Sequence, residues 1–284
     1  MNFPSPERMD QLAFWNGLAG RKWTDFQETL DDTFAPVLQR LTAQSAIKPG
    51  ERVIDIGCGC GATAIELGRM VGGSGEITGV DISSDMLARA RDRTPPGLPV
   101  SYLQADATNH VFAPGHADIL FSRFGVMFFN APEIAFRNLN SALAPGGRVV
   151  FSCWRVPREN PFFIAGLQEA YKFVPRLPEL GPEDPGPFSF ASEERVKRIL
   201  GAAGFTAISL APFDADLDLA GGRGLDHGVT VALSIGPVSR ALEGQPQDKV
   251  DATAAAIHTM LARHRDGDSV LLKGAMWIVT ATKP

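Results

Sequence analysis

Arg52-Val-Ile-Asp-Ile-Gly-Cys-Gly-Cys-Gly-Ala62, with Asp81 downstream of it, decides how the rest of the chain is read. Val53, Ile54 and Ile56 are β-branched, as suits a buried strand. The strand breaks into a loop with glycines at Gly57, Gly59 and Gly61. A helical pattern begins at once, with Ala62, Thr63, Ile65, Leu67 and Met70 apolar or small at roughly helical spacing. About twenty residues after Gly61, a second apolar run, Ile77-Thr-Gly-Val80, ends on the carboxylate of Asp81. A strand, a glycine turn, a helix and a strand ending in an acid make a βαβ nucleotide-binding unit. Asp81 stands where it can accept hydrogen bonds from both hydroxyls of a ribose.

Working outward, residues 5–45 read as helices carrying two apolar stripes. One is Met9, Leu12, Ala13, Trp15 and Leu18; the other is Phe26, Leu30, Phe34, Val37, Leu38 and Leu41. Trp15 and Trp23 flank the glycine-broken turn between them. Pro49-Gly50 leads into the first strand, and Ser83 or Ser84 is positioned to cap the helix after Asp81. Strands follow at 100–105, 117–122 and 148–153, separated by helical or turn segments. Residues 156–190 are proline-rich loop around a short helix. A helix near 192–203 precedes a sixth strand at 205–210, and 214–266 reads as a mostly helical insertion. The chain closes on a strand at 275–280. The alternation predicts a single α/β domain: a Rossmann-like, doubly wound, mostly parallel seven-stranded sheet with an antiparallel last strand, N-terminal helices and a helical insertion before that strand. Within it, 1–48 forms a helical cap, 49–155 a cofactor-binding core, 156–213 a loop-rich lid with the sixth strand, 214–270 the insertion and 271–284 the last strand.

Composition narrows the function classes. The 284 residues carry a net charge of −5, which gives no basic footprint for nucleic acid. Cys58, Cys60 and Cys153 are too few for a disulfide framework, which points to a reducing, cytoplasmic setting. The amino terminus lacks a charged-then-apolar signal pattern, and no apolar run is long enough to span a membrane. The expected partner is a small-molecule substrate; a homodimer is compatible with the sequence.

The glycine spacing selects the nucleoside. Gly57-x-Gly59-x-Gly61 differs from the dinucleotide pattern G-x-G-x-x-G, in which a helix amino terminus receives a pyrophosphate. Asp55 ahead of the loop would repel a pyrophosphate and suits an ammonium. S-adenosylmethionine carries an ammonium, a sulfonium and no phosphate, so it fits better than NAD. An NAD-dependent oxidoreductase, which the βαβ unit and Asp81 alone would permit, is the first rival reading. A non-catalytic S-adenosylmethionine-binding protein is the second.

The chain resembles the class I S-adenosylmethionine-dependent methyltransferases, especially the small-molecule group with the ubiquinone and menaquinone C-methyltransferases. The likeness covers roughly residues 45–155. It rests on Val53-Ile-Asp-Ile-Gly-Cys-Gly-Cys-Gly61, Gly79-Val-Asp-Ile-Ser83, Gln104-Ala-Asp-Ala107, Phe121-Ser-Arg-Phe124 and Leu143-Ala-Pro-Gly-Gly147. The resemblance implies that Asp55 and the Gly57–Gly61 backbone hold the methionine end of the cofactor, with Cys58 contributing backbone contacts. It implies that Asp81 binds the ribose, with Ile82 and Met86 along the adenine. Asp106 would accept from the adenine amino group, the Ala107 N–H would read the ring, and Ser122 would lie near the amino-acid moiety. Ser122-Arg-Phe-Gly125 stands where DNA amino-methyltransferases carry an Asn- or Asp-Pro-Pro-aromatic block, which again favours a small acceptor.

Acceptor chemistry is less legible. Methyl transfer gains most of its rate from positioning, so a general base is optional. His110, His116, His227, His258 and His264 are candidates, of which His227 in the insertion is best placed. Arg123 suits an acidic substrate group or a structural ion pair. Trp15 and Trp23 either close over the bound molecules or anchor the leading helices. Phe124, Met127, Phe128 and Phe129 could line an apolar pocket. No metal site is expected, because C-x-C in a glycine loop offers only two ligands.

Overall fold

The structure, a computed structural model, describes residues 10–181 and 183–284. Met9 of the first expected stripe and the amino-terminal residues lie outside this range.

Four short helices open the chain: α1 (Gln11–Trp15), α2 (Leu18–Asp25), α3 (Gln27–Thr33) and α4 (Ala35–Ser45). The Asp10 side chain caps the first by accepting the Leu12 and Ala13 N–H groups. The core follows as β1 (Arg52–Ile56), α5 (Ala62–Val71), β2 (Glu76–Asp81), α6 (Ser84–Arg93), β3 (Val100–Gln104), β4 (Ala117–Arg123), α7 (Pro132–Ala142) and β5 (Leu143–Trp154). Of the two candidate caps for α6, Ser83 is the one used. Then come α8 (Pro161–Ala170), α9 (Glu193–Ala202), β6 (Thr206–Asp218), α10 (Leu225–Ser234), α11 (Gly236–Leu242), α12 (Gln247–Leu261), a two-residue β7 (Arg265–Asp266) and β8 (Ser269–Thr282).

The main sheet runs β3-β2-β1-β4-β5-β8-β6, with β7 pairing only with β8. All neighbours are parallel except β8, which is antiparallel to β5 and β6. This is the doubly wound sheet expected, with the two-residue β7 added. The strand order reverses between β1 and β4, so a crevice opens at their carboxyl ends. Val53, Ile54, Ile119 and Leu120 at the sheet centre are almost wholly buried.

Two boundaries differ from the sequence reading. The sixth strand runs to Asp218 rather than stopping near residue 210, and β8 starts at Ser269 rather than 275. Their register extends to Asp218↔Leu271. Asp214, Asp216 and Asp218 alternate with Phe213, Ala215 and Leu217, which is a period-2 pattern on an edge strand whose charges discourage further pairing. Arg155 pairs with Asp214 at 2.7 Å and Lys273 with Asp216 at 2.8 Å. Residues 214–218, read as the start of the insertion, therefore belong to strand, and the first helix of the insertion begins at Leu225. Among the described residues, no helix is long and apolar enough to cross a membrane.

Candidate functional site: a glycine-loop crevice beside an apolar chamber

The crevice is built where the ends of β1 and β4 meet. Gly57 has φ +66°, and a Cβ there would lie 2.6 Å from the Gly125 Cα. Both turns thus need glycine for the two loops to touch. Gly59 (φ +53°) and Gly61 (φ +85°) also take left-handed conformations, and α5 starts at once after them.

Two carboxylates, Asp55 and Asp81, stand at this loop, and a third, Asp106, follows β3. Asp55 on β1 is fully buried; Thr63 on α5 donates its hydroxyl to one oxygen, and the other has no hydrogen-bond partner. Burial pushes its pKa up to about 7, opposed by the Thr63 hydrogen bond and by the Arg123 charge. Asp81, at the end of β2, accepts the Gly59 N–H at 2.8 Å on one oxygen and the Ser83 N–H at 2.9 Å on the other. An ionised carboxylate has about four acceptor sites, so acceptor capacity remains beyond these backbone donors. Burial raises its pKa against these backbone donors. Asp106 is exposed and accepts the Thr108 N–H, while neighbouring Ala107 is buried.

The remaining predicted cofactor residues sort by position. Ile82 is half-buried next to Asp81. Met86 is buried beneath the glycine loop, with its sulfur 3.7 Å from where a Gly59 Cβ would stand. Cys58 is buried and Cys60 half-buried; burial pushes both thiols up, Cys60 to about 11. The Ser122 hydroxyl is committed to structure: it donates to the Ile56 carbonyl at 2.7 Å and accepts the Gly125 N–H at 3.1 Å. It ties β1 to β4.

The N-terminal helices are fastened over this crevice. Asn16 donates to the Ile82 carbonyl at 3.0 Å and accepts the Ser84 N–H at 3.0 Å. Asp31 on α3 pairs with Arg93 of α6 at 2.6 Å and lies 3.9 Å from Arg123. The Arg123 guanidinium sits over the Phe34 ring at 5.7 Å, a cation–π distance.

Beyond Arg123 the chain opens into a second space. Phe124 takes φ +67°, a left-handed conformation that is strained for a bulky residue. Its ring stacks on Trp154 with centroids 4.4 Å apart and planes 2° from parallel. Phe34 packs edge-on to Phe124, Trp154 and Phe162 at 5.3–6.1 Å. These rings form one wall of a cavity of about 1160 Å³ with a predominantly apolar lining. Trp15 and Trp23 line its cap side, the latter stacked on Phe34 at 6.3 Å. Val231, Ile235 and Val238 of the insertion also line it. Met127 and Phe128 also line the space, whereas Phe129 packs against core Phe136.

His227 does not reach that chamber. Its Nε2 lies 2.8 Å from the Thr29 hydroxyl, in a smaller polar pocket with Arg89 and Arg223. Desolvation and the Arg223 charge lower its pKa. It joins the insertion to the cap. Sequence reading missed Asp31, Arg93 and Trp154 as site neighbours; a lone acid on a helix and a tryptophan ending a strand carry no local signal of convergence.

A doubly wound sheet with a glycine loop, strand-end carboxylates and an adjoining apolar chamber defines a nucleoside-cofactor enzyme acting on a separate substrate. The comparisons specify which. A methyltransferase-domain family matches residues 53–147. The ubiquinone/menaquinone biosynthesis C-methyltransferase UbiE of Serratia proteamaculans is 31% identical over 179 residues, covering 58% of this chain and 70% of the relative. Its counterpart in Azotobacter vinelandii is 28% identical over 220 residues, covering 72% and 86%. The structure of Haemonchus contortus phosphoethanolamine N-methyltransferase 2 with phosphomonomethylethanolamine and S-adenosylhomocysteine superposes with a TM-score of 0.57 at 18% identity. That alignment covers 95% of this chain and 60% of the other, and carries the fold alone. The chain belongs to the class I S-adenosylmethionine-dependent methyltransferases, and S-adenosylmethionine is its cofactor. The crevice fits that group: the buried, unpartnered Asp55 oxygen suits an ammonium, and the free acceptor capacity of Asp81 suits a vicinal diol.

Proposed function

We propose that this enzyme methylates a large, predominantly apolar small molecule, with an aromatic ring presented at the Phe124–Trp154 wall. The observation that carries this reading is the chamber of about 1160 Å³ beside the glycine loop. Ligand pockets commonly span roughly 300–1,000 Å³, so the space suits an acceptor larger than a simple phenol or amine. When bound, S-adenosylmethionine supplies an electrophilic methyl on a sulfonium. The protein's part is to hold the reacting atoms about 3–3.5 Å apart and in line, and to exclude water. Asp81 accepts from the ribose hydroxyls, and Asp55 with the Gly57–Gly61 backbone takes the methionine end. Ile82 and Met86 pack along the adenine, with Asp106 and the Ala107 N–H at its edge. Trp15, Trp23 and Phe124 grip the acceptor, and the aromatic wall disfavours a hydrated, charged one.

The related enzymes act in ubiquinone/menaquinone biosynthesis as C-methyltransferases. That supports an electron-rich ring carbon as the acceptor atom, which needs no strong side-chain base. The test is S-adenosylhomocysteine release across quinols, phenols, thiols and amines of graded apolar bulk. Turnover should rise with the apolar area of ring-bearing acceptors. Turnover confined to small, charged amines would overturn the reading.

A further inference from the structure

The chamber is predominantly apolar, yet two cations line it among the described residues: Lys22 near the end of α2 and Arg240 on α11. Lys22 Nζ donates to the Ser239 hydroxyl at 2.6 Å, which joins the cap to the insertion. Arg240 is the next residue on α11, so Lys22, Ser239 and Arg240 meet the chamber where these two parts of the chain touch. Among the described residues, neither cation forms an ion pair. An ammonium has three donors, of which Ser239 takes one, and the Ser239 hydroxyl keeps its own proton to give.

The acids lining the same space are placed differently. Glu179 and Glu243 are exposed, and half-buried Asp184 accepts the Gly181 N–H at 2.7 Å. Exposed acids keep their hydration, whereas the half-buried cations depend on what fills the chamber. A wholly apolar molecule displaces the water at Lys22 and leaves an ammonium with one hydroxyl partner, a desolvation cost that opposes binding. A molecule that brings an anionic oxygen to that point replaces the water with charge-assisted hydrogen bonds. The site therefore selects by what it penalises as well as by what it attracts.

We propose that the methyl acceptor is amphipathic, with its ring against the Phe124–Trp154 wall and one carboxylate received by Lys22, Ser239 and Arg240. This deepens the reading of the chamber given above and rests on it. Lys22 and Arg240 are then specificity residues that reject acceptors of the same shape without the charge. Ser239 is a positioning residue: it holds the ammonium toward α11, beside the guanidinium. The planar fork of Arg240 matches a carboxylate with two parallel hydrogen bonds, and Lys22 adds a point charge.

Steady-state release of S-adenosylhomocysteine tests this with three phenols that share one alkyl-substituted ring and end in a carboxylate, a carboxamide or an ammonium. The wild-type KM for the carboxylate should lie roughly ten- to a hundredfold below that for the carboxamide, the usual effect of hydrogen bonds to a charged group. The ammonium should be the poorest of the three. Lys22→Met should raise the carboxylate KM toward that of the carboxamide without moving calorimetric affinity for S-adenosylhomocysteine, and Lys22→Glu should favour the ammonium. Ser239→Ala breaks the bridge between cap and insertion but keeps both charges, so the order of the three acceptors should survive in it. Arg240→Gln should narrow the preference and provides the test if Lys22→Met does not fold. Equal KM values for the three head groups in the wild type, or a preference unmoved in the folded variants of Lys22 and Arg240, overturns the assignment. So does a rise of all three KM values together in Lys22→Met and Ser239→Ala alike, which makes the contact a structural bridge alone. Turnover of none of the three by a chain that still binds S-adenosylhomocysteine is a different result, because it removes the reading of the chamber on which the proposal stands.

Discussion

Asp55 carries a conflict between folding and binding. Its pKa, ordinarily 3.8, is pushed up to about 7 by burial, so the folded state prefers the protonated form. The associated stability is full below pH 3.8 and is lost as pH rises through about 7. Asp55→Asn keeps a partner for Thr63 and removes the buried charge. It should therefore stabilise the ligand-free protein at pH 8 by up to a few kcal/mol. The gain should fade as pH falls from 7 toward 4, as thermal melts at several pH values would show. The same variant should bind S-adenosylmethionine poorly at every pH. In the wild type, where Thr63, Arg123 and Asp81 face this carboxyl, affinity should drop about tenfold per unit below pH 7. Asp81 is the simpler case. Removing its hydrogen bonds in Asp81→Ala should cost about 1.5–3 kcal/mol, a ten- to hundredfold loss in cofactor affinity. Unchanged calorimetric affinity in a folded variant would refute the ribose role.

The glycine loop shows why part of this site was legible in one dimension. Its spacing, the acid before it, Asp81 ending β2 and Asp106 two residues past β3 are local patterns that βαβ geometry gathers at one edge of the sheet. The close approach of Gly57 to Gly125 was not legible, since it joins turns on two strands 68 residues apart in number. Gly57→Ala must bear both a left-handed backbone, about 1–2 kcal/mol, and a clash with backbone that cannot swing aside. Gly146→Ala bears the first term alone, because nothing lies within 4 Å of its Cβ site. Urea unfolding should place Gly57→Ala well below Gly146→Ala in stability, with cofactor binding lost only in the former. The left-handed backbone of Phe124 was equally hidden, because sequence offers no sign that a phenylalanine will be held there by stacking on Trp154. Phe124→Gly should relieve that strain, preserve cofactor affinity and raise the acceptor KM. The misplaced end of β6 has a plainer cause: aspartates at alternate positions break the apolar run that marks a buried strand, so residues from 214 on read as part of the insertion.

Across the molecule, the chamber exists only because three parts of the chain meet. The cap contributes Trp15, Trp23 and Phe34; the core contributes Phe124 and Trp154; the insertion contributes Val231, Ile235 and Val238. Phe34 is 3% exposed and packs against the rings of Trp23, Phe124 and Trp154. Phe34→Ala should cost about 3–5 kcal/mol and loosen the cap, read as a lowered urea midpoint with faster amide exchange in α1–α3. Helical periodicity announced the cap and the insertion as amphipathic, yet which apolar face meets which is a property of packing.

The long β6–β8 pairing has an evolutionary consequence. The strands clamp the insertion at its base, where Asp218 faces Leu271, while the glycine-loop crevice lies across the sheet at β1, β2 and β4. A lineage can therefore lengthen, shorten or exchange the roof between these two anchor points without disturbing the donor half of the reaction. The wall of the chamber that the insertion builds is inherited on a stretch of the gene separate from the glycine loop, free to diverge at a different speed.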